Sequence, residues 1–335
     1  MNEKIVILGT GGWGTALAIA WHRAEKNVML WARTPERAAE LRSARENRRL
    51  LPGVGIPDDL RIESDPGAAL DNASAVVCAV PSKHMRGTIR TLAPFIARNA
   101  VVISAAKGLE FREGKPYRMT QVMASELGDT GADRVATISG PSHAEEVGRG
   151  LPTTLVVAGA SRGLLRDVLS TRTLRLYTSD DLVGVELGGT LKNPIAIAAG
   201  IAKGLGAGDN ALGALITRGV AEITRFGVAA GADEKTFAGL SGIGDLITTC
   251  VSAHSRNVRV GCELARGRKI EEILAELGMV AEGVETSRIV DRWAKSVGIE
   301  TPITSAVVRV LFEGADPRRE LEGLMARALK DEFRG

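Results

Sequence analysis

A doubly wound α/β sheet followed by an all-helical domain is the fold class that this 335-residue sequence predicts. Up to about residue 180, short β-type runs alternate with helix-compatible stretches. After that point, long segments rich in Ala, Leu, Glu and Arg replace the β-type runs. We therefore predict an N-terminal sheet domain at residues 1–180 and an all-α domain at residues 181–335.

The individual elements follow from apolar runs and from the residues that begin and end helices. Strands are predicted at residues 4–8, 27–31, 61–64, 74–80, 101–104, 134–139, 153–158 and 174–177. Helices in the second half are predicted at residues 211–230, 257–278, 283–297 and 319–333. Pro35 after Thr34 is typical of a helix start, Gly298 is typical of a helix end, and Pro302 stops any helix before it.

The first apolar run leads directly into a glycine-rich turn. Gly9, Gly11 and Gly14 have the spacing GxGxxG between a predicted strand and a predicted helix, which indicates a Rossmann-type dinucleotide-binding unit. Gly9 permits the tight turn, Gly11 lets the backbone approach a pyrophosphate, and Gly14 lets the helix pack closely on the strand. The N–H groups and dipole at the helix start favour an anion. The alternative is a turn with a purely structural role.

The end of the second predicted strand, Ala32 and Arg33, bears on which dinucleotide is bound. Sites that prefer NAD carry an Asp or Glu about 20 residues after the glycine motif, whereas this sequence has Arg33 there. A guanidinium can hold a 2′-phosphate through bidentate hydrogen bonds, and a carboxylate would repel it. We expect NADP(H) to be used at least as well as NAD(H); the alternative is that Arg33 is a solvated loop residue.

Composition argues against several other classes of protein. The apolar and charged fractions, 44% and 25%, are those of a globular chain. No apolar segment approaches about 20 residues and no charged leader precedes the first strand, so we expect no membrane insertion and a cytoplasmic location. A net charge of +3 without a basic stripe interleaved with aromatic residues predicts no nucleic-acid binding. The three cysteines and four histidines lack metal-ligand spacing, so we expect free thiols and no metal site.

Polar residues follow several predicted strands, at the edge where open α/β sheets bind ligands. Lys107 follows the strand at 101–104, and Gly140 and Ser142 follow the strand at 134–139. The turn at Gly140 could present backbone N–H groups and the Ser142 hydroxyl to an anionic ligand, and an ordinary turn is the alternative.

Two further groups lie in the helical half. Lys192 is surrounded by small or apolar residues, and partial burial or a neighbouring cation suits a lysine to acid–base catalysis by lowering its pKa. A solvated surface lysine is the alternative.

Asp245 lies eleven residues before Arg256, about three turns if one helix joins them, although nearby glycines also allow a loop. Either geometry offers a carboxylate near an Arg-Asn pair that suits a phosphate, and a surface ion pair is the alternative.

Six stretches share their order and spacing with one family. They are Gly9-Thr10-Gly11-Gly12-Trp13-Gly14-Thr15-Ala16, Ala106-Lys107-Gly108-Leu109-Glu110, Ser139-Gly140-Pro141-Ser142-His143-Ala144, Leu191-Lys192-Asn193, Leu240-Ser241-Gly242-Ile243-Gly244-Asp245-Leu246 with Ser255-Arg256-Asn257, and Val280-Ala281-Glu282-Gly283. Over essentially its whole length the chain resembles the bacterial NAD(P)-dependent glycerol-3-phosphate dehydrogenases.

The resemblance implies an activity and a set of site residues. The activity is reversible reduction of dihydroxyacetone phosphate to sn-glycerol 3-phosphate by NAD(P)H, which supplies glycerophospholipid synthesis. Lys192 would be the catalytic acid and base. The substrate would be held by Lys107, Gly140, Ser142, Asp245, Ser255, Arg256 and Asn257. The cofactor would be held by Gly9, Gly11, Gly12, Trp13, Gly14, Arg33, Lys107, Ala144, Arg256, Val280 and Glu282.

Two rival interpretations share this layout. A related dehydrogenase of a β-hydroxy acid or of ketopantoate would also join a Rossmann-type domain to a helical domain, although Ser255-Arg256-Asn257 favours a phosphate-bearing substrate. A non-catalytic dinucleotide-binding sensor would bind the cofactor without substrate-dependent oxidation of NADPH. Apolar helix faces in the second domain would suit a homodimer.

Overall fold

The predicted sheet is present, with strands close to the predicted bounds. The computed structural model describes residues 3–277, 281–328 and 331–332. In chain order, its strands are β1 Lys4–Leu8, β2 Asn27–Trp31, β3 Arg61–Glu63, β4 Ala75–Cys78, β5 Val101–Ser104, β6 Leu109–Arg112, β7 Lys115–Arg118, β8 Val135–Ser139, β9 Thr153–Gly159 and β10 Leu174–Ser179. Among the described residues, eight strands form one sheet in the order β10-β9-β8-β5-β4-β1-β2-β3. Neighbouring strands are parallel except for antiparallel β8 and β9.

The strand order reverses at β1. β2 pairs with one side of β1 and β4 pairs with the other, so the chain leaves β1 in one direction and later returns to its opposite side. Open α/β sheets bind ligands at such a point, beyond the carboxyl ends of the strands. The glycine-rich turn begins at the carboxyl end of β1 and is therefore in this position.

Apolar side chains fill a layer on each face of the sheet. Ile5 and Ile7 of β1 belong to one buried layer, and Val6 and Leu8 belong to the other, as the two-residue period of a strand requires. A strand buried on both faces is apolar at every position, which explains why simple apolar runs predict these strands well. The doubly wound fold class is confirmed.

Helices follow most strands and make up the second half of the chain. They are α1 Gly12–Arg23, α2 Pro35–Ala44, α3 Pro66–Leu70, α4 Ser82–Leu92, α5 Met119–Leu127, α6 Ala144–Arg149, α7 Arg162–Leu169, α8 Leu182–Gly204, α9 Gly208–Ala229, α10 Glu234–Phe237, α11 Asp245–Val251, α12 Arg256–Ala265, α13 Ile270–Leu277, α14 Glu282–Ser296, α15 Pro302–Phe312 and α16 Pro317–Met325. A π-helical turn, Leu240–Gly244, precedes α11. Within the described ranges, no helix is both long and apolar enough to cross a bilayer.

The chain divides into two compact units. The first comprises Met1–Thr190 and Gly227–Thr248, and the second comprises Leu191–Phe226 and Thr249–Gly335. The unit boundaries fall within α8, α9 and α11. The predicted domain boundary at residue 180 stays a prediction, since compact units and domains need not coincide.

Close helix contacts and one buried carboxylate organise the second unit. A Cβ on Gly261 would lie 2.1 Å from the Ile197 carbonyl oxygen, so glycine is needed where α12 meets α8. Glu222 of α9 is 2% exposed and accepts hydrogen bonds from the backbone N–H groups of Ile303 and Thr304 at 2.7 and 2.9 Å. It thereby caps α15, while its burial raises the pKa of the carboxyl group.

Three details of the predicted elements need correction. The predicted helix at 319–333 begins at Pro317 and ends at Met325. The predicted helix at 257–278 is two helices, α12 and α13, because Gly267 adopts a positive φ of 81° where they separate. The hairpin of β6 and β7 is absent from the prediction, since its half-exposed residues show no apolar run. Pro302 follows the end of a helix, as predicted, and also begins α15.

Candidate active site

The glycine-rich turn joins β1 to α1, and Gly9 and Gly14 have the roles in it that the motif predicts. Gly9 has φ 112°, a conformation that side-chain-bearing residues rarely adopt. A Cβ on Gly14 would lie 2.1 Å from the Gly9 carbonyl oxygen, so α1 can approach the turn only without a side chain there. The backbone of the protein therefore requires glycine at both positions.

Gly11 is different, because no described neighbour requires a glycine there. Its φ is −70°, and an added Cβ would meet only the Ala79 carbonyl oxygen, at an ordinary 3.9 Å. It is the N-cap of α1 and makes no side-chain capping bond. Open space over Gly11 and the N-terminus of a twelve-residue helix fit the pyrophosphate of a dinucleotide.

The other predicted cofactor residues are spread around this turn. Gly12 would bring a Cβ within 3.8 Å of the Ala144 side chain, which places Ala144 beside the turn. Trp13 is half-buried and packs against the core layer on its side of the sheet. Arg33 follows β2 and is exposed, as a group that meets a 2′-phosphate must be.

Lys107 lies just beyond β5 and joins three predicted substrate residues of the first unit. Its ammonium donates hydrogen bonds to the Gly140 carbonyl oxygen at 2.9 Å, to Ser142 Oγ at 3.2 Å and to Asp245 Oδ2 at 2.7 Å. Asp245 is 2% exposed, so the ion pair fixes the lysine head firmly. The sequence interpretation places Asp245 near Arg256 and does not foresee Lys107 as a partner of its carboxylate.

A buried glutamate on α8 fastens the hairpin that follows Lys107. Glu186 is 2% exposed and accepts hydrogen bonds from Arg118 Nη1 at 2.9 Å and from Thr120 N and Oγ1 at 2.8 and 2.6 Å. One turn further along α8, Gly189 lies so close to Ser139 that a Cβ would come within 2.3 Å of Oγ. These contacts hold α8 against the segments that carry Lys107 and Gly140.

Lys192 is a buried lysine of the second unit. It is 5% exposed, and its Nζ donates a hydrogen bond to Thr249 Oγ1. Burying an ammonium costs free energy unless hydrogen bonds compensate. A buried lysine in this position therefore favours a functional role more strongly than a surface lysine would. The surface alternative for Lys192 does not describe this structure.

Amide and hydroxyl groups surround the start of α12 in the same unit. Ser255 is the N-cap of α12 and accepts a hydrogen bond from the backbone N–H of Val258. Asn257 donates to Asn193 Oδ1 at 2.9 Å and accepts from the Gly283 backbone N–H at 3.2 Å. Arg256, the first residue of α12, is exposed. Helices α8, α12 and α14 are thus joined through one side chain.

Three predicted site residues are the first residues of helices in the second half of the chain. The helix that contains Asp245 ends at Val251, and Arg256 begins a new helix, so no continuous helix joins Asp245 to Arg256. Glu282 is the first residue of α14 and is half-buried. Val280 lies outside the described residues.

Sequence reasoning missed Thr249 and Glu186. Thr249 carried no signal, because hydroxyl residues are common around it in the chain. Glu186 could have been noticed as a carboxylate within the apolar run that leads to Lys192.

Comparison with known proteins decides the family. The model of the NAD-dependent glycerol-3-phosphate dehydrogenase N-terminus matches residues 4–164, and the model of the same family's C-terminus matches residues 181–322. The chain belongs to the NAD-dependent glycerol-3-phosphate dehydrogenase family.

Individual relatives agree with this assignment. The chain is 50% identical to the glycerol-3-phosphate dehydrogenase [NAD(P)+] of Moorella thermoacetica over 98% of its own length and 97% of the relative's. The crystal structure of glycerol-3-phosphate dehydrogenase from Coxiella burnetii superposes with a TM-score of 0.90 at 36% identity, covering 97% of this chain and 99% of that one. The predicted family, the NAD(P)-dependent dehydrogenase class and the use of both NADP(H) and NAD(H) are confirmed.

The rival dehydrogenase interpretation is not favoured. A ketopantoate reductase from Ralstonia eutropha superposes with a TM-score of 0.59 at 19% identity, covering 96% of this chain and 99% of that one. A likeness at that level reflects the shared fold alone.

Proposed function

We propose that the chain reversibly reduces dihydroxyacetone phosphate to sn-glycerol 3-phosphate with NAD(P)H, and so supplies glycerophospholipid synthesis. The observation that carries this proposal is Lys192, a buried lysine held by a hydroxyl in a chain of this family. When bound, the nicotinamide supplies the hydride that reduces C2 of the substrate. The protein must then bind the phosphate and protonate the C2 oxygen.

Lys192 is the proposed proton donor in reduction and the acceptor in oxidation. Negative charge develops on the C2 oxygen as the carbonyl is reduced, and an adjacent ammonium both stabilises that charge and provides the proton. The Thr249 hydroxyl restricts the position of Nζ, so its side chain is ordered before the substrate arrives.

Substrate roles are proposed for further residues in each unit. In the first unit, Lys107 contacts the substrate with its ammonium oriented by Asp245, and Gly140 and Ser142 belong to the same hydrogen-bonded group. In the second unit, Ser255, Arg256 and Asn257 form the N-terminal end of α12, where a helix dipole and a guanidinium both favour a phosphate.

The cofactor roles remain those of the resemblance. The glycine-rich turn, Gly9, Gly11, Gly12 and Gly14, would take the pyrophosphate, and Arg33 the 2′-phosphate of NADP(H). Trp13, Lys107, Ala144, Arg256, Val280 and Glu282 would line the remainder. We assign residues 1–180 to dinucleotide binding and residues 181–335 to substrate binding.

Replacement of one lysine beside a matched lysine tests the catalytic assignment. Lys192→Ala should lower kcat for reduction of dihydroxyacetone phosphate by roughly 10²–10⁴-fold, the usual contribution of a general acid, with NADPH affinity largely kept. Lys203, on the same helix, donates to the Cys250 carbonyl oxygen at 2.6 Å, so Lys203→Ala is the control for loss of a lysine contact. Unchanged turnover in Lys192→Ala, or an equal loss in Lys203→Ala, would remove Lys192 from the mechanism.

Two properties of the protein stay predictions. A cytoplasmic location accords with Cys78, Cys250 and Cys262 forming no disulfide among the described residues. A homodimer is a prediction that sedimentation of the purified protein would test directly.

A further inference from the structure

A buried asparagine outside the glycine-rich turn is bonded to that turn from within the protein. Asn47 lies in the loop after α2 and is 0% exposed. Its Nδ2 donates to the Thr10 carbonyl oxygen at 3.1 Å and to Thr15 Oγ1 at 2.8 Å. One contact is inside the GxGxxG turn, and the other is in the first turn of α1. Asn47 therefore joins the two backbone segments that a pyrophosphate would meet.

Arg37 completes the arrangement from α2. Its Nη2 donates to Asn47 Oδ1 at 2.6 Å and to the Thr10 carbonyl oxygen at 3.4 Å, and its Nε donates to Thr10 Oγ1 at 3.4 Å. The Thr10 carbonyl can only accept and the guanidinium can only donate, so the orientation of the Asn47 amide is fixed by its partners.

The segment that follows Asn47 also contacts the turn. A Cβ on Gly12 would lie 2.4 Å from the Leu50 carbonyl oxygen, so residues 47–51 lie directly against the glycine-rich turn. The carbonyl of Asn47 accepts hydrogen bonds from the backbone N–H groups of Leu50 and Leu51, which hold this segment in a tight turn of its own. Arg37 and residues 47–51 thus form one continuous set of contacts with the glycine-rich turn, which we call the brace.

We propose that Asn47 and Arg37 are positioning residues for the dinucleotide, which hold the glycine-rich turn in its binding conformation. This inference rests on the proposed function. Both amide hydrogens of Asn47 are used within the protein, so it acts through the turn rather than by touching the cofactor. A turn that samples other conformations binds its ligand more weakly in proportion to the fraction that is competent.

The proposal predicts how cofactor affinity responds to substitution. Every dinucleotide has the pyrophosphate, whereas only NADP(H) has the 2′-phosphate. Asn47→Ala removes three hydrogen bonds and should raise the Kd of NADPH and of NADH by the same factor, about tenfold or more. At saturating cofactor, kcat should stay within about twofold of the wild type, because the chemical groups are untouched.

A matched control separates this effect from general destabilisation. Trp21 is a buried residue at the other end of α1, and its Nε1 donates to the Leu169 carbonyl oxygen at 2.8 Å. Trp21→Phe also removes a buried hydrogen bond of α1 but leaves Thr10 and Thr15 alone. It should lower the melting temperature without raising either Kd. Arg37→Met, at a partly exposed position, keeps Asn47 in place and should raise both values of Kd by a smaller factor.

The experiment is fluorescence titration of the purified full-length variants with NADPH and with NADH, beside thermal melting. Equal rises for the two cofactors in Asn47→Ala and Arg37→Met, absent from Trp21→Phe, are the expected result. Wild-type affinity in both brace variants, a rise that Trp21→Phe matches, or a rise confined to NADPH would overturn the proposal. A wild-type protein that binds neither cofactor would overturn the proposed function as well. If the wild type binds both cofactors and one of these contrary results is found in the variants, only the role of the brace is overturned.

Discussion

Substitution of single glycines in the nucleotide-binding turn distinguishes a glycine required for stability from one required for cofactor binding. In Gly14→Ala, the new Cβ would begin 2.1 Å from the Gly9 carbonyl oxygen, so α1 would have to move by about 1 Å to restore an ordinary contact. Such overpacking costs about 1–3 kcal/mol of stability. In Gly11→Ala, the nearest contact is 3.9 Å and φ is −70°, so stability should change by no more than about 0.5 kcal/mol.

Cofactor affinity should respond in the opposite order to stability. A methyl group on Gly11 occupies the space into which we place the pyrophosphate, so Gly11→Ala should raise the Kd of NADPH at least about tenfold, or about 1.4 kcal/mol. Urea unfolding gives the stability of each variant, and fluorescence titration gives its Kd. A Gly11→Ala protein that is as stable as the wild type and binds NADPH equally well would refute the placement of the pyrophosphate.

Three further substitutions test the charged groups of the two units. Arg33→Ser should raise the KM of NADPH about tenfold while that of NADH changes by less than about twofold, and equal changes would exclude contact with the 2′-phosphate. Asp245→Asn removes the ion pair with Lys107, so the KM of dihydroxyacetone phosphate should rise about tenfold or more in steady-state assays; wild-type kinetics would contradict the role of the pair. Because burial raises the pKa of Glu222, the folded state holds that proton more tightly than the unfolded chain does. The wild type should therefore lose stability relative to Glu222→Gln as pH rises above about 4.5, the ordinary pKa of a glutamate. A difference in urea midpoint that stays constant with pH would show that Glu222 does not titrate differently on folding.

Much of the sheet could be predicted from the sequence, because its buried strands are apolar at every position. The hairpin of β6 and β7 could not, since Arg112 and Lys115 at its turn are exposed and no apolar face marks its strands. Helix α8 was not predicted individually, because Gly188, Gly189 and Pro194 argue against a long helix locally. Close packing overrides that preference: a Cβ on Gly188 would lie 2.6 Å from the Ser241 carbonyl oxygen.

In the site, features set by neighbouring residues in the chain could be predicted from the sequence, and contacts between distant residues could not. The roles of Gly9 and Gly14 follow from the turn itself and could be predicted from the spacing of the motif. The partners of Lys107 and Lys192 could not, because Asp245 and Thr249 lie 138 and 57 residues away along the chain and only the fold brings them into contact. Asn47 had no functional signal in the sequence, since it lies among Arg45, Glu46, Arg48 and Arg49, a run typical of a solvated helix face. The structure instead buries Asn47 completely in a loop after α2.

The most direct test of the account is the rate at which the purified protein oxidises NADPH with dihydroxyacetone phosphate, measured beside ketopantoate as a control substrate. We expect rapid loss of NADPH absorbance with the triose phosphate and little above background with ketopantoate. Tight binding of NADPH without turnover of either substrate would contradict the proposed reaction and favour a sensor, and faster turnover of ketopantoate would contradict the proposed substrate.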